Sequence, residues 1–195
     1  MSESKVSIVA LLGSARPDNF TSKALAVTLD EIARNPKYRV EVIDPNDYDL
    51  GLPGHSKPAV MQAIQDKVRT ATGVVLATPE YHGSYSSVIK LLIEHLGFPS
   101  VLATKPTAIV GVAAGTIGAI KATEHLRSVA AHVGAIVLPG AVSVASVNRA
   151  FNAEGEIVDA SAEKRLRAAG TGLIHYIEDN ICPRMALEQM VRSDD

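Results

Sequence analysis

The chain is poor in several residue types that mark particular protein classes. It has one cysteine among 195 residues, which excludes an intrachain disulfide and a cysteine-based zinc site. It has no tryptophan and only 4% aromatic residues, which disfavours stacking platforms for single-stranded nucleic acid or sugars. Its 19 basic and 21 acidic residues give a net charge of −2, so no basic excess indicates nucleic-acid binding and no acidic block indicates a solvating tail.

Long hydrophobic runs are also missing. No stretch reaches the roughly 18 apolar residues of a membrane span. Near the N-terminus, the apolar run Val6–Leu12 stops at Gly13. A signal peptide would need a longer apolar region and a small-residue cleavage site, so a buried first strand explains this run better. We therefore expect a cytoplasmic protein with no membrane partner.

Short apolar runs alternate with segments of helical spacing. The runs are continuous rather than alternating in polarity, which is typical of strands buried on both faces. They cover residues 6–12, 40–44, 73–78, 107–113 and 135–142. Five strands alternating with five helices predict an α/β protein with a doubly wound parallel sheet. Two strand orders are common for such sheets, and both bind ligands at the carboxyl ends of the strands.

The length fits one domain with a sizeable core, so we expect a single domain over residues 1–195 with a tail at 184–195. Residues 45–58 and 148–160 are expected to be loops, the second with a hairpin about Gly155. In the tail, a short docking helix would carry Met185, Leu187, Met190 and Val191.

The loop after the first strand has the parts of a phosphate site. Gly13 allows a tight turn, and Arg16 offers a planar fork to a phosphate. Short polar side chains follow at Ser14, Asn19, Thr21 and Ser22. The N-terminus of the next helix would add free N–H groups. The alternative is an ordinary helix cap beside a surface arginine. Both G-x-G-x-x-G and G-x-x-x-x-G-K-[ST] are absent, which disfavours a dinucleotide bound in the Rossmann manner.

Two further loops follow the third and fourth strands. Residues 78–87 contain two tyrosines, a histidine and a glycine, and such a loop suits an aromatic ring system. Residues 111–119 are mostly small, which lets a ligand approach the backbone closely. The alternatives are tyrosines that pack locally and a helix that packs tightly on the sheet.

Together the three loops resemble the NADPH-dependent FMN reductase family, whose members include quinone, azo-dye and chromate reductases. Gly13, Ser14 and Arg16 resemble its G-S-x-R phosphate motif, and residues 79–82 resemble its P-E-Y-[NH] motif. Gly115 and Gly118, followed by residues 125–127, resemble its glycine-rich turn and helix. The likeness runs from residue 6 to about residue 142, roughly two-thirds of the chain.

The chain departs from the family pattern at three places. Asn19 stands where the family often has serine, and Ser87 stands where it usually has glycine. Leu91 and Leu92 replace an asparagine and a small residue. The last change would affect the dimerising helix or the rim of the substrate pocket rather than the phosphate site.

The resemblance implies a flavodoxin-like three-layer sandwich, with a five-stranded parallel sheet in order 2-1-3-4-5 and helices on both faces. It also implies a non-covalent FMN. The phosphate would be held by Ser14, Arg16, Asn19, Thr21 and Ser22. The ring system would lie against Pro79, Glu80, Tyr81, His82 and Ser84, with Gly115, Thr116 and Gly118 near its opposite edge.

The activity implied is that of an NAD(P)H-dependent oxidoreductase. NADPH or NADH would reduce the FMN, and a quinone, an azo compound, free flavin or a similar small acceptor would then take the electrons. No catalytic side chain and no metal are assigned. A homodimer or homotetramer is expected, with the apolar third helix as the candidate surface; its apolar residues are Ile89, Leu92, Ile93 and Leu96.

Other function classes remain as alternatives. A serine hydrolase is disfavoured because G-x-S-x-G is absent, and a zinc protease because H-E-x-x-H is absent. A flavodoxin-type electron carrier or a flavin-binding sensor without turnover is the second candidate, and the net charge of −2 argues mildly against a carrier. A phosphate-binding module that has lost its flavin is the third. The sequence does not decide between NADPH and NADH.

Overall fold

A computed structural model describes residues 6–193. Its sheet is built on four parallel strands: β1 (Val6–Leu12), β2 (Tyr38–Ile43), β3 (Gly73–Tyr81) and β5 (Pro106–Val112). Three short strands complete it: β4 (Ser84–Tyr85), β6 (Ile136–Val137) and β7 (Val142–Val144). The order is β2-β1-β3-β5-β6, with β4 paired to β3 and β7 paired to β5. With β5 as the predicted fourth strand and β6 as the fifth, this order matches the predicted 2-1-3-4-5. The sheet has seven strands, however, rather than five.

The prediction of a continuous fifth strand over residues 135–142 is wrong. β6 and β7 are both parallel to β5, pairing Val137 with Thr107 and Val142 with Val110, but residues 138–141 leave the sheet between them. Pro139 has no N–H to donate to a strand partner, and Gly140 has a φ of +80°. The hydrogen-bond ladder cannot continue through Pro139 and Gly140. Two short strands, β6 and β7, therefore occupy the last position of the sheet.

Helices cover both faces of the sheet, which confirms the three-layer sandwich. They are α1 (Phe20–Ala33), α2 (Pro58–Thr70), α3 (Ser87–Glu94), α4 (Ile120–His132), α5 (Val147–Ala150), α6 (Ala160–Tyr176) and α7 (Cys182–Ser193). Ile8 of β1 belongs to a core cluster with α1 and α6, whereas Val9 belongs to a second cluster with α2, α3 and α4. Successive side chains of a strand point to opposite faces, so β1 contributes to both cores.

The third helix does not offer the expected oligomer surface. Ile89, Leu92 and Ile93 of α3, and Leu96 just beyond its end, are all buried within this one chain, at 0–4% exposure. Leu92, one of the departures from the family pattern, is part of that core. These four side chains therefore pack beneath the sheet, and any interface between copies must use other residues. Val88 and Leu91 of α3 are only half-buried.

The C-terminal helices form one continuous rod. α6 passes through a π-helical turn, Ile177–Ile181, into α7. Pro183, in the first turn of α7, cannot donate a backbone hydrogen bond, and such a gap in the ladder accounts for the irregular turn before it. A helix does form in the predicted tail, but it begins earlier, at Cys182, and exposes Leu187 and Val191 at 64% and 68%.

The two predicted loops have small elements of their own. Residues 45–58 contain a single 3₁₀ turn, Pro45–Asp47, before α2 begins. Residues 148–160 include the end of α5 and then a bridge between Phe151 and Ile157, with Gly155 at a φ of +85°. The predicted hairpin about Gly155 is thus present. No helix in residues 6–193 has the length and apolar character needed to cross a membrane.

Candidate functional site

The carboxyl ends of β1, β3 and β5 open into a cleft of about 390 Å³. The cleft is lined by residues 16–21, 79–81 and 112–114, together with Val147. All three loops singled out in the sequence therefore meet at one place. The cleft lies at the sheet edge where doubly wound folds bind their ligands.

The structure brings some of the predicted site residues to the cleft and leaves others outside its lining. Those that line it are Arg16, Asn19, Thr21, Pro79, Glu80 and Tyr81. Those that do not are Ser14, Ser22, His82, Ser84, Gly115, Thr116 and Gly118. The sequence analysis missed the lining residues Pro17, Asp18, Phe20, Val112, Ala113, Ala114 and Val147. Several of these are neighbours of predicted residues, but Val147 follows a different strand and had no sequence signal.

The loop between β1 and α1 is shaped by Asn19, which caps the helix. Its Oδ1 accepts a hydrogen bond from Ser22 N at 2.8 Å, and its Nδ2 donates to Arg16 O at 2.7 Å. Ser22 Oγ donates to Asn19 O at 2.8 Å. The helix-cap interpretation therefore holds for these two side chains. Thr21, which is 2% exposed, and Arg16 remain as side chains that reach the cleft.

Gly13 is needed here for space rather than for an unusual φ. Its N–H donates to Ala77 O at 2.8 Å, and a Cβ at this position would lie only 2.5 Å from the same oxygen. Ser86 Oγ also donates to Gly13 O. The end of β1 thus lies directly against the end of β3 and the start of α3, which fixes the position of the phosphate-motif loop.

The two walls of the cleft touch through Arg16 and Tyr81. The guanidinium carbon Cζ of Arg16 lies 4.9 Å from the centroid of the Tyr81 ring. Cation–π contacts of this kind stabilise a pair by about 0.5–1 kcal/mol at exposed sites. Both side chains are exposed, so this contact lies at the mouth of the cleft.

The loop after β3 is a tight hairpin. Tyr81 pairs with Ser84, and the two residues between them, His82 and Gly83, have φ values of +51° and +72°. Two-residue hairpin turns with both central residues at positive φ match the twist of the flanking strands. The turn therefore sets Tyr81 at the cleft and directs His82 to the surface.

Glu80 joins this hairpin to α4. Its Oε2 accepts a hydrogen bond from Ala122 N at 3.0 Å, in the first turn of a helix whose own capping residue, Ala119, supplies no side-chain cap. Ser84 Oγ lies 3.0 Å from His125 Nδ1 and forms a second link to the same helix. Glu80 is thus part of the cleft wall and also holds α4 in place.

The glycine-rich turn follows Ala114, and its residues 115–118 are not part of the cleft lining. Gly118 N donates to Gly115 O at 3.3 Å, and a Cβ on Gly118 would lie 2.5 Å from Ser143 Oγ. Ser143 Oγ accepts a hydrogen bond from Ala119 N at 2.8 Å. Gly118 therefore serves close packing against the segment around Ser143, whereas a Cβ on Gly115 would meet nothing within 4 Å. Ala113 and Ala114 form the cleft wall.

A second serine–histidine pair also lies outside the cleft. His95, which is 2% exposed, has Nε2 at 2.8 Å from Ser56 Oγ and Nδ1 at 2.7 Å from Leu91 O. Ser56 Oγ also lies 2.9 Å from Gly51 O. This histidine connects the loop after β2 to the end of α3, as expected for a core histidine with its hydrogen bonds satisfied.

The residues of the cleft fit an FMN. Arg16 and the first-turn N–H groups of α1 are donors for a phosphate. The two carboxylates of the lining are engaged elsewhere, because Asp18 pairs with Lys23 Nζ at 2.8 Å and Glu80 binds Ala122 N. Pro79, Val112, the two alanines after it and Val147 provide an apolar wall for a flat ring. No group of metal-ligating side chains occurs within residues 6–193.

The sequence model of the family described as NADPH-dependent FMN reductase matches residues 6–149. The chain belongs to this family. An NAD(P)H-dependent FMN reductase of Pseudomonas aeruginosa is 29% identical over 176 residues, which are 83% of this chain and 90% of that protein. A quinone reductase of Escherichia coli is 31% identical over 186 residues, which are 91% of this chain and 98% of that protein.

The fold of a solved flavoenzyme is also similar. The flavoenzyme NAD(P)H:(acceptor) oxidoreductase FerB of Paracoccus denitrificans superposes with a TM-score of 0.73 at 24% identity, covering 89% of this chain and 98% of that chain. Family membership confirms the predicted flavodoxin-like fold and the class of an NAD(P)H-dependent flavin oxidoreductase with FMN as cofactor.

Proposed function

We propose that this FMN reductase binds FMN in the cleft, with the phosphate at the N-terminus of α1 and the ring between the β3 and β5 loops. It then passes electrons from NAD(P)H to a quinone, an azo compound or free flavin. The observation that carries this proposal is the convergence of residues 16–21, 79–81 and 112–114 on a single cleft. FMN supplies the two-electron redox chemistry when bound.

The phosphate would be held mainly by Arg16 and Thr21, with backbone N–H groups of the loop. A guanidinium that stacks on an aromatic ring by its face keeps its N–H donors, which lie in its plane, free for a phosphate. Ser14, Asn19 and Ser22 act in this proposal by setting the loop geometry.

The ring system would lie against Pro79 and Tyr81, with Glu80 holding that wall to α4. His82 and Ser84 complete the hairpin that carries Tyr81. Gly115, Thr116 and Gly118 belong to the turn beyond the opposite wall. Together these residues would orient the ring and exclude water from one of its faces.

The acceptor class is supported by the relatives. A 2-hydroxy-1,4-benzoquinone reductase of Burkholderia is 30% identical over 170 residues, which are 82% of this chain and 90% of that protein. Chemically, an acceptor that is planar and conjugated can replace the nicotinamide over a flat ring. We therefore expect quinones to be better acceptors than non-planar oxidants.

The test is to load the purified protein with FMN and to measure NADPH and NADH oxidation with benzoquinone, an azo dye and free FMN. Parallel double-reciprocal lines are expected, since the two substrates use the cleft in turn. A protein that takes up FMN but oxidises neither dinucleotide would be an electron carrier or a sensor. A protein that binds no FMN would refute the site itself.

We also propose that the chain forms a homo-oligomer. Large apolar side chains are exposed near the cleft, with Tyr81, Ile117 and Ile120 at 37%, 80% and 47%. Burial of this apolar surface would stabilise a contact between copies. Sedimentation at micromolar concentration should give a dimer or tetramer, and a monomer would contradict the proposal.

A further inference from the structure

Three lysines of the described chain have side chains with no polar partner. Lys23, Lys57, Lys67 and Lys90 form ion pairs, and Lys105 donates to the backbone oxygens of residues 69 and 71. Within residues 6–193, the side chains of Lys37, Lys121 and Lys164 have no hydrogen bond, ion pair or ring contact, and all three are exposed. Their charges are free to bind an anion from solution.

Lys121 is the one of these three that lies beside the cleft wall. It is the second residue of α4, next to Ala122, whose N–H is bound by Glu80. A Cβ placed on Gly83 would lie 3.6 Å from Lys121 Cδ and 4.0 Å from its Nζ. The lysine therefore packs along the hairpin turn that carries Tyr81, which lines the cleft.

The surroundings of Lys121 offer further donors. His82 is exposed in the hairpin turn, and His125 is on the same helix with Nδ1 near Ser84 Oγ. Two carboxylates lie near Lys121, those of Glu80 and Glu124. Within residues 6–193, neither forms an ion pair with Lys121. An exposed cation that packs along the turn containing His82, on the same helix as His125, suits a ligand rich in anionic oxygen.

We propose that Lys121, with His82 and His125, binds a phosphate group of the NAD(P)H co-substrate. This inference rests on the proposed function. FMN would occupy the cleft, so a dinucleotide whose nicotinamide reaches the ring must leave its phosphates on the rim. The phosphate could be the 2′-phosphate that distinguishes NADPH from NADH, or the pyrophosphate that both contain. In the first case Lys121 would determine the preference for NADPH.

The experiment measures binding of NADP⁺ and NAD⁺ to the FMN-loaded protein by titration calorimetry. Lys121→Gln should weaken binding by about five- to tenfold, the scale of one charged contact at a partly exposed site. Lys121→Arg, which keeps the charge, should restore most of the affinity. Weaker binding of NADP⁺ alone identifies the 2′-phosphate, and weaker binding of both identifies the pyrophosphate.

Lys37→Gln is the matched control. Lys37 is also an exposed lysine without a partner, but it directly precedes β2, at the opposite edge of the sheet. It should leave both affinities unchanged. The affinity lost in Lys121→Gln should also shrink as salt is raised, because screening weakens the wild-type contact.

The outcomes separate this inference from the proposed function. If the wild type binds and oxidises a dinucleotide, and Lys121→Gln binds both dinucleotides as the wild type does, the role of Lys121 is refuted and the proposed function stands. If the FMN-loaded wild type neither binds nor oxidises either dinucleotide, both are refuted.

Discussion

The guanidinium of Arg16 lies over the ring of Tyr81, with Cζ 4.9 Å from the ring centroid. Arg16 belongs to the loop after β1 and Tyr81 to the end of β3, so the contact connects two walls of the cleft. This cation–π contact restricts the position of the guanidinium, whose five N–H donors leave some available to a phosphate. Tyr81 therefore orients Arg16 for the phosphate that we place at the start of α1.

Replacing Arg16 by alanine should weaken FMN binding by about 1.5–3 kcal/mol, the usual scale for a charged hydrogen bond. Flavin fluorescence during titration of the apoprotein measures the dissociation constant. Arg34→Ala is the control, because Arg34 follows the other end of α1 and pairs with Asp30 and Glu31. An unchanged dissociation constant in Arg16→Ala would remove the phosphate assignment.

Tyr81→Phe should retain the stacked ring and bind FMN nearly as well as the wild type, whereas Tyr81→Ala should bind it more weakly. A double-mutant cycle with Arg16→Ala tests whether the two side chains act together. We expect a coupling of about 0.5–1 kcal/mol in FMN binding, as is typical of an exposed cation–π pair. Strictly additive effects would show that Tyr81 does not orient Arg16.

Glu80→Ala should destabilise the fold, because Ala122 N loses the acceptor that caps α4. The loss should be about 0.5–2 kcal/mol in the free energy of unfolding, as for other helix caps. Glu80→Gln keeps an oxygen at the same place and should lose less. Urea unfolding of the apoprotein measures both, which separates this effect from FMN binding.

Glu124 provides the comparison for that experiment. It is an exposed acidic residue on the same helix, and Glu124→Ala should change the free energy of unfolding by less than about 0.5 kcal/mol. If Glu80→Ala proves as mild as Glu124→Ala, the bond to Ala122 does not stabilise α4.

Two glycines in α6 should respond to alanine in opposite directions. A Cβ on Gly170 would lie 2.7 Å from Thr28 O of α1, whereas a Cβ on Gly172 has no neighbour within 4 Å. Gly170→Ala should therefore destabilise the protein by about 1–3 kcal/mol through overpacking. Gly172→Ala should stabilise it by up to about 1 kcal/mol, because alanine favours a helix. Thermal unfolding of both variants checks this, and equal shifts would refute the close approach of α1 and α6.

Much of the fold follows from local patterns that can be read along the chain. The apolar run of β1 and the capping residue Asn19 place a strand, a loop and a helix in order without any tertiary information. The break in the fifth strand also had a local signal, since Pro139 and Gly140 stand in the middle of the predicted run. That prediction is wrong because a hydrophobic run cannot replace the ladder hydrogen bond that the proline is unable to donate.

Only the tertiary structure shows what covers the apolar side of α3. Its spacing shows that Ile89, Leu92 and Ile93 share one side of the helix, but not whether that side meets the sheet or a second copy. In the structure the sheet covers this side completely. A periodic pattern reports that a side is apolar, and only the packing shows what covers it.

The sequence by itself determined most of the elements, the layering and the three loops at the carboxyl edge, because apolar periodicity and capping act between residues close along the chain. Only the tertiary structure determined two contacts: the cation–π contact of Arg16 with Tyr81 and the hydrogen bond of Glu80 with Ala122 N. These contacts join loops far apart in sequence, which meet because the strand order brings β1, β3 and β5 side by side.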